Sequence, residues 1–433
     1  MNRVAHIDHT VEPGGGEIAL RRLLQAGSAW DATLFVPPSR HGLGEYAMLA
    51  GGTVRVVGVT QSPGARTASP TALLSTALNV VLQAGALRSS REFRRNRIVH
   101  TNSSRAAIIG LLATLGSRRR LVVHLRDAVD EATLGSVGVR AMRTALRRAD
   151  GVIANSAYTL SSADQWIGVG AQVAIIESSI GHDRSRAPAA LRDCVQKVGI
   201  LARMAPWKGQ AQVIRAFAAA FPEPGVRLQV AGSTAFGEEA YARHLMELVE
   251  ELGVADRVDF LGHVHDIWPL IDDWDVCVHA STRPEPLGQN VLQYLAAARP
   301  TIATRAGGPL DRVADGDTGL LVEMGDVRAM TQAMRRLSDE TGLRLRLHRN
   351  LLVQRPVRSD PELASEYADY FAKIAQSEVR GSSTRTIPFE RPLIESHQTN
   401  RRPQAEDFVN KVPRRVLLGR IQHGSSLDTA AEG

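Results

Sequence analysis

The sequence predicts an α/β protein built from two doubly wound domains, each with a parallel sheet covered by helices. Short β-branched runs alternate with longer segments of helical character, which is typical of this class. The alternation restarts after a polar, proline-containing stretch at residues 178–197. Hydrophobic residues make up 44% of the 433 residues, which is enough apolar material for two cores. A single small domain is therefore excluded.

The candidate strands divide into two groups along the chain. The first group begins at Val4, Thr33, Val54, Ile98, Leu121 and Gly151. The second group begins at Val198, Val226, Val258, Val276, Thr301 and Gly319. We therefore expect an N-terminal domain over residues 1–180, a hinge near residues 179–194 and a C-terminal domain over residues 195–360.

The end of the chain departs from this alternation. A helix predicted over residues 361–377 either closes the second domain or packs back on the first. From residue 378 the composition turns to Arg, Ser, Thr and Pro with little apolar periodicity. This composition predicts a flexible, basic and disordered tail over residues 378–433.

Net charge and cysteine content exclude several classes of protein. The net charge of +7 favours anionic partners, but nucleic acid is not expected, because only 5% of the residues are aromatic. The two cysteines, Cys194 and Cys277, lack metal-ligand spacing, which excludes a disulfide scaffold and a cysteine-bound zinc ion. Neither a signal peptide nor a long apolar run is recognised, so we expect a cytoplasmic protein.

A glycine turn follows the first strand. Gly14, Gly15 and Gly16 lead into a helical segment, and backbone N–H groups at such a turn can bind a phosphate. The pattern matches neither the dinucleotide fingerprint nor the P-loop. A glycine turn without a ligand is an equal alternative.

Two cations follow the first strand of the second half. Arg203 lies at the end of that strand, and Lys208 lies five residues further on, before the next helix. Such a pair can stabilise the negative charge that develops on a departing diphosphate. A solvated loop with two ordinary cations is the alternative.

The segment from Ser281 to Pro309, STRPEPLGQNVLQYLAAARPTIATRAGGP, resembles the donor-site signature of glycosyltransferase family 4. The matching positions are Glu285, Pro286, Gly288, Gly307 and Gly308. Further similar segments, in the family's order, are LVVHLRD, ADGVIANS, VGILARMAPWKG and DGDTGLLV. The resemblance spans most of residues 1–375. It implies the GT-B fold, with two Rossmann-like domains facing a central cleft, and sugar transfer from a nucleotide diphosphate with retention of configuration.

The resemblance also implies residue roles. Arg203 and Lys208 would hold the diphosphate, and Glu285 and His124 would face the donor sugar from opposite domains. The backbone at a helix N-terminus would grip the sugar or the phosphates through Leu287, Gly288, Gln289 and Asn290. The remaining donor contacts would be Gly15 and Gly16 at the β-phosphate, Gly262 and His263 at the base, and Gln293 at the ribose. A partly buried structural histidine is the alternative for His124.

Two positions depart from the family pattern. Leu287 stands where phenylalanine is common and keeps the position apolar. Gln293 replaces a second glutamate that accepts hydrogen bonds from the ribose in the family. Glutamine loses the charge and one acceptor, so donor binding is expected to weaken by roughly 1–3 kcal/mol. The alternative function is thus a non-catalytic relative that binds nucleotide sugars or partners an active transferase. A Rossmann dehydrogenase is a weaker alternative, because GxGxxG is missing.

Neither a metal nor a cofactor is expected at the site. The two Asp-x-Asp strings, Asp273–Asp275 and Asp315–Asp317, precede strands and are explained by turn and capping roles. The nucleotide sugar would act as co-substrate, and cationic side chains would replace a metal.

The segment Thr71–Arg97 joins an apolar helical stretch to a cluster of arginines. It is either a helix packed on the N-terminal sheet with a basic solvated end, or an interfacial helix that contacts a membrane peripherally at its inner face. The function expected overall is a glycosyltransferase in cell-envelope glycan or glycolipid synthesis. Its acceptor, a glycan, a lipid-linked sugar or a small molecule, is not specified by the sequence.

Overall fold

The computed structural model describes residues 1–27, 29–40, 42–49, 53–61, 70–234 and 237–377. The expected tail at residues 378–433 lies outside the described residues. The strands are β1 (Arg3–Ile7), β2 (Asp31–Val36), β3 (Val54–Val56), β4 (Ile98–Thr101), β5 (Arg120–Leu125), β6 (Gly151–Ala154), β7 (Gln172–Ile175), β8 (Lys197–Leu201), β9 (Arg227–Ala231), β10 (Val258–Gly262), β11 (Val276–His279), β12 (Thr301–Thr304) and β13 (Leu320–Val322).

Helices separate most of these strands, as the alternation predicts. They are α1 (Gly15–Gln25), α2 (Pro70–Ser89), α3 (Arg91–Arg94), α4 (Ser104–Thr114), α5 (Glu131–Arg148), α6 (Ala157–Ser161), α7 (Gln210–Ala220), α8 (Glu239–Glu251), α9 (Ile267–Asp272), α10 (Gln289–Ala296), α11 (Val327–Asp339), α12 (Thr341–Gln354) and α13 (Asp360–Gln376). Several begin at residues that cap a helix well. The side chains of Ser103, Ser156, Asp326 and Ser359 each accept a hydrogen bond from a backbone N–H in the first turn.

The strands form two parallel sheets, which confirms the predicted fold class. The N-terminal sheet has seven strands in the order β3-β2-β1-β4-β5-β6-β7, and the C-terminal sheet has six in the order β10-β9-β8-β11-β12-β13. The order of the strands reverses beside β1 in the first sheet and beside β8 in the second. Ligands of doubly wound sheets bind at the carboxyl ends of the strands at such points.

One strand was not predicted from the sequence. β7 (Gln172–Ile175) pairs with β6 at the edge of the N-terminal sheet, and its residues are exposed or half-buried. An edge strand of this kind buries little apolar surface, so its sequence lacks the continuous hydrophobic run that marks the central strands.

The C-terminal helix α13 packs on the N-terminal domain. Its apolar residues Leu363, Tyr367 and Phe371 join the core formed by Trp30 and Leu34. The chain therefore crosses back from the second domain to the first. Of the two arrangements left open by the sequence, the structure has the helix packed on the first domain.

The chain passes between the two domains twice, near residues 177–181 and near residues 358–360, and these two segments are in contact. The carboxylate of Asp360 accepts hydrogen bonds from the backbone N–H groups of Ile180 and Gly181, at 3.1 and 3.0 Å. Glu177 forms ion pairs with Arg312 and Arg358, at 2.7 and 3.3 Å. These contacts join the hinge to the segment that returns to the N-terminal domain.

Helix α2 combines features of both interpretations of its sequence. Val80, Ala84 and Leu87 are buried against the N-terminal sheet. The helix also exposes five large apolar side chains, Leu73 near its N-terminus and Leu74, Leu78, Val81 and Leu82 on the face away from the sheet. No helix in the described part of the chain is sufficiently long and apolar to cross a membrane.

Candidate active site

The site is formed where the carboxyl ends of the two sheets meet. Helix α1 begins at the glycine turn after β1, and α10 begins after the loop that follows β11. The side chain of Gln289 at the start of α10 donates a hydrogen bond to the carbonyl oxygen of Gly15, at 3.1 Å. A Cβ atom at Gly15 would lie 3.3 Å from Oε1 of Gln289, a tight contact. The absence of a side chain thus allows the two helix N-termini to approach.

Glu285 lies at this edge and has three partners on one carboxylate oxygen. It is buried, and its Oε1 accepts a hydrogen bond from Lys208 Nζ at 2.5 Å and another from the hydroxyl of Ser281. Nε2 of His279 lies 3.2 Å from the same oxygen. Burial raises the pKa of Glu285, but Lys208 and His279 outweigh it and hold this pKa well below its ordinary value. The carboxylate is therefore ionised.

The glycine pair of the motif holds the Glu285 loop in place. Glu285 forms a parallel β-bridge with Gly307, and the N–H of Gly308 donates to the carbonyl oxygen of Glu285 at 2.8 Å. Gly307 has φ of +69°, and a Cβ atom there would lie 2.2 Å from that carbonyl oxygen. A larger residue would displace the loop, which is a structural reason for glycine at this position.

The start of α10 lies next to Glu285. Gly288 occupies the N-cap with φ of +74°, which turns the chain into the helix. Leu287 packs in an apolar cluster with Val291. Asn290 and Gln293, three residues apart in α10, are also buried. The four residues 287–290 thus present a helix N-terminus at the expected donor position.

Lys208 and Arg203 both follow β8. Lys208 lies in a short helical turn with its Nζ 4.2 Å from the centre of the Trp207 ring. Arg203 is half-buried, and its carbonyl oxygen accepts a hydrogen bond from Gln210 Nε2 at 2.9 Å. The structure brings Lys208 into contact with Glu285. Arg203 lies two residues beyond the end of β8.

The expected base-binding residues lie at the end of β10. Gly262 has φ of +62°, and its carbonyl oxygen accepts a hydrogen bond from Gly232 at 2.7 Å. His263 is exposed and packs edge-on against His265, with ring centres 4.6 Å apart. Both residues are thus at the carboxyl edge of the C-terminal sheet.

His124 lies on the N-terminal side of the site. It is the penultimate residue of β5, is 1% exposed, and its Nδ1 is 3.1 Å from Nε2 of His100. Burial, together with the charge of Arg126, holds the pKa of His124 well below its ordinary value, so the ring is neutral.

Sequence reasoning missed a polar cluster in the N-terminal domain. Asp8 accepts hydrogen bonds from Tyr46 and Asn102, both at 2.6 Å, and Arg126 donates to Asn102 at 2.8 Å. A Cβ atom at Gly16 would lie 3.0 Å from Cδ of Arg126, so the cluster adjoins the glycine turn. The signal was available, because Asp8, Asn102 and Arg126 each directly follow a strand, β1, β4 and β5, and parallel strands end at one edge.

Glu17, in the first turn of α1, completes this cluster. Burial and then the charge of Asp8 raise the pKa of Glu17 to about 8, so its carboxyl group is protonated at neutral pH. Asp8, His9 and Glu17 offer ligand atoms within 4.8 Å of one another. Asp8 is already engaged by Tyr46, Asn102 and His9, however, and Glu17 would have to release its proton before it could bind a cation. The cluster therefore resembles a hydrogen-bonded network more than a metal centre.

The two Asp-x-Asp strings have structural partners. Asp275 accepts hydrogen bonds from the backbone of Gln196 and Lys197, at 2.8 and 2.9 Å. Asp273 forms ion pairs with Arg192 and Lys197. In the second string, Asp315 accepts from the N–H of Leu321 at 2.9 Å, and Asp317 accepts from Asn350 at 2.6 Å.

Two sequence-family models match the chain. Residues 14–177 match "Glycosyl transferase 4-like domain", and residues 195–340 match "Glycosyl transferases group 1". Together the two models cover more than half of the chain, one for each sheet.

Curated relatives are similar over part of their length. The lipopolysaccharide core biosynthesis glycosyltransferase LpsE of Rhizobium meliloti is 37% identical over 124 residues, which is 29% of this chain and 35% of that protein. The D-inositol 3-phosphate glycosyltransferase of Corynebacterium glutamicum is 30% identical over 170 residues, 38% of this chain and 40% of that protein. The chain thus spans less than half the length of these relatives.

Solved structures have the same fold over most of the chain. Anabaena HepE in complex with UDP-glucose has a TM-score of 0.69 at 23% identity, over 86% of this chain and 99% of that one. Sucrose-phosphate synthase from Thermosynechococcus elongatus has a TM-score of 0.70 at 20% identity, over 87% of this chain and 99% of that one. These identities are low, so the likeness concerns the fold.

With both family models matched in order on two Rossmann-like domains, the chain belongs to the glycosyltransferases of the family 4 type, with the GT-B fold.

Proposed function

We propose that this glycosyltransferase moves a sugar from a nucleotide diphosphate to an acceptor hydroxyl with retention of anomeric configuration. The observation that carries the proposal is the Lys208–Glu285 pair at the carboxyl edge of the C-terminal sheet. A fixed cation next to an ionised acid matches the two needs of a donor, a partner for its phosphates and an acceptor for its sugar hydroxyls.

The proposed donor site assigns a role to each group. Lys208 and Arg203 stabilise the diphosphate, and Glu285 accepts hydrogen bonds from the donor sugar. The backbone N–H groups of residues 287–290 add a helix N-terminus that favours anionic groups. The remaining donor contacts proposed are Gly15, Gly16, Gly262, His263 and Gln293, with His124 facing the sugar from the N-terminal domain.

The proposed reaction needs no covalent enzyme intermediate. The acceptor oxygen bonds to the anomeric carbon as the bond from that carbon to the phosphate oxygen breaks, on the same face of the sugar. The acceptor proton passes to the departing diphosphate, whose charge Lys208 and Arg203 stabilise. The protein contributes orientation and electrostatic stabilisation. No cofactor enters this scheme.

The relatives support the choice of substrates. HepE was crystallised with UDP-glucose, and LpsE is named for lipopolysaccharide core biosynthesis. A nucleotide sugar as donor and a cell-envelope glycan or glycolipid as product are consistent with both. The acceptor is proposed to be presented by the N-terminal domain.

A peripheral contact with an anionic bilayer is proposed for α2. The helix exposes five large apolar side chains, four of them on one face, and Leu74 on that face is 73% exposed. No charged residue occurs between Thr71 and Leu87, whereas exposed arginines follow at positions 88, 91, 94, 95 and 97. An apolar face next to a basic cluster complements a membrane surface with acidic lipid headgroups.

A non-catalytic role is the alternative to transfer, and Gln293 is the observation that favours it. A thermal-shift screen against UDP, GDP, ADP and their sugars, followed by turnover assays with the stabilising donors, tests both. Binding raises the Tm by mass action. We expect one nucleotide family to raise the Tm of the wild type but to act less on Lys208→Ala. Binding without hydrolysis or transfer for any donor would favour the partner role, and no binding at all would contradict the proposed site.

A further inference from the structure

Three histidines and a tryptophan form a continuous hydrogen-bonded chain through the N-terminal domain. Nε1 of Trp30 donates to Nε2 of His6 at 3.0 Å, Nδ1 of His6 is 3.0 Å from Nδ1 of His100, and Nε2 of His100 is 3.1 Å from Nδ1 of His124. Each of the four side chains is at most 2% exposed. This series of hydrogen bonds therefore runs from the buried indole of Trp30 to His124, the histidine expected at the donor sugar.

The parallel strands set this arrangement. His6 in β1 is paired in register with His100 in β4, and His100 is paired with Val122 in β5. His124 is two residues further along β5, so its side chain is on the same face and nearer the carboxyl edge. The three rings step across adjacent strands toward the site.

Burial keeps all three imidazoles neutral. It lowers the pKa of His6 to about 3 and holds the pKa values of His100 and His124 well below their ordinary range. A neutral imidazole has one N–H donor and one acceptor nitrogen. Each ring–ring contact therefore needs one donor and one acceptor nitrogen. As a result, the hydrogen bonds between the three rings can run in only two ways, all donating from His6 toward His124 or all donating from His124 toward His6.

The indole decides between these directions, because its N–H can only donate. Nε2 of His6 must therefore be the acceptor, which places the proton of His6 on Nδ1. Nδ1 of His100 then accepts, and its Nε2 carries the proton that is donated to Nδ1 of His124. In the reverse direction, two N–H groups would face each other between Trp30 and His6.

We propose that Trp30, His6 and His100 are positioning residues that fix His124 as the tautomer with hydrogen on Nε2, which makes it a hydrogen-bond donor toward the substrate. Nε2 of His124 is buried and has no hydrogen-bond partner in the described part of the chain. An unpartnered buried N–H is costly, so a ligand or water oxygen is the expected partner. The substrate step rests on the proposed function, in which that oxygen belongs to the nucleotide sugar. A general-base role for His124 is excluded by this tautomer.

The tautomers can be measured directly on the full chain. Two-bond ¹H–¹⁵N correlation spectra of ¹⁵N-histidine-labelled protein distinguish the two forms of a neutral ring. We expect hydrogen on Nδ1 of His6 and on Nε2 of His100 and His124. Hydrogen on Nδ1 of His124 in the wild type would overturn the proposal, and this result requires no variant.

A matched pair of tryptophan variants tests the role of the indole. Trp30→Phe removes the donor at the start of the chain, whereas Trp166→Phe removes an indole that stacks on Arg143 outside it. In Trp30→Phe we expect a mixture of tautomers at His124 and a threefold to tenfold loss of kcat/KM for the donor, with little change in Trp166→Phe. A single unchanged tautomer at His124 in folded Trp30→Phe would overturn the assignment to Trp30.

Conservative replacement of His124 tests its donor role. The amide nitrogen of glutamine can occupy the position of Nε2, whereas that of asparagine is closer to Nδ1. We therefore expect His124→Gln to keep at least threefold more activity than His124→Asn, and the reverse order would contradict the proposal. If the wild type turned over no nucleotide sugar while its spectra showed hydrogen on Nε2 of His124, the proposed function alone would fail.

Discussion

Lys208 Nζ and Glu285 Oε1 are 2.5 Å apart, so the cation and the acid proposed for the donor neutralise each other. Neither is freely solvated, because the side chain of Lys208 is 16% exposed and that of Glu285 is 7% exposed. A bound diphosphate would offer Lys208 a second anionic partner. The pair thus holds both side chains in a fixed position at the carboxyl edge of the C-terminal sheet.

The first prediction concerns this pair. Lys208→Ala and Glu285→Ala should each lower turnover at least tenfold, because each removes about 1.4 kcal/mol or more of transition-state stabilisation. Steady-state kinetics with the donor found in the screen measure the effect, and circular dichroism checks the fold. Lys197→Ala is the matched control, since Lys197 pairs with Asp273 at the opposite, amino end of β8. If both Lys208→Ala and Glu285→Ala turned over the donor at the wild-type rate, the proposed site would be contradicted.

Gln293→Glu should strengthen nucleotide binding. The glutamate would supply a second charged acceptor for the ribose hydroxyls, and we expect the Kd of the nucleoside diphosphate to fall about tenfold. Calorimetric titration measures the change. Gln165→Glu, an exposed position in the N-terminal domain, controls for added charge. An unchanged or weaker affinity would show that Gln293 does not contact the ribose.

Glu17→Gln should alter the pH dependence of stability. With a pKa of about 8 in the fold against 4.5 ordinarily, Glu17 holds a proton that the unfolded chain releases between these values. Below pH 4.5 the contribution of Glu17 to the free energy of unfolding is complete. As the pH rises from 4.5 to 8, this contribution is lost, and the free energy of unfolding falls by up to about 1.4 kcal/mol per pH unit.

Urea unfolding at pH 6 and pH 9 tests this linkage. The wild type should lose more stability between the two values than Glu17→Gln does, and the exposed Glu12→Gln should behave like the wild type. Parallel losses in all three proteins would contradict the raised pKa.

Removal of divalent metal should leave turnover within about twofold of its starting value, because cationic side chains are proposed to stabilise the leaving group. Assays with and without EDTA measure this. Loss of activity that Mg²⁺ or Mn²⁺ restores would contradict the prediction. In that case His9→Ala would show whether the Asp8–His9–Glu17 cluster is responsible.

The exposed face of α2 should control binding to anionic vesicles. Leu74→Glu combined with Val81→Glu should weaken binding to phosphatidylcholine vesicles containing phosphatidylglycerol by roughly tenfold or more, since burying each side chain contributes about 1.5–3 kcal/mol. Vesicle co-sedimentation measures the change, and Val353→Glu, at 77% exposure in the other domain, is the control.

Two results would contradict the membrane contact. Equal binding to purely neutral vesicles would show that the arginines take no part. Self-association of the wild type without lipid, abolished by the same double substitution, would assign the face to a second copy of the chain.

The sequence determined most of the fold because central parallel strands are buried on both faces. Their apolar runs appear directly in the chain, and each of the twelve predicted runs overlaps a strand of the two sheets. The edge strand β7 was missed for the same reason, since it buries little. The motif segment around Glu285 was also recognisable, because its glycines occupy positive-φ positions at Gly288 and Gly307.

Only the tertiary structure decided which distant groups meet. Local sequence specifies neither the pairing of Lys208 with Glu285 nor the contact of Gln289 with Gly15, because both depend on how separate strands and helices are arranged in space. The same holds for α13, whose apolar face is compatible with either domain, and for the chain from Trp30 to His124, which requires three adjacent strands in one register. Apolar periodicity determines which residues are buried, whereas hydrogen-bond partners and pKa shifts arise only when the elements pack together.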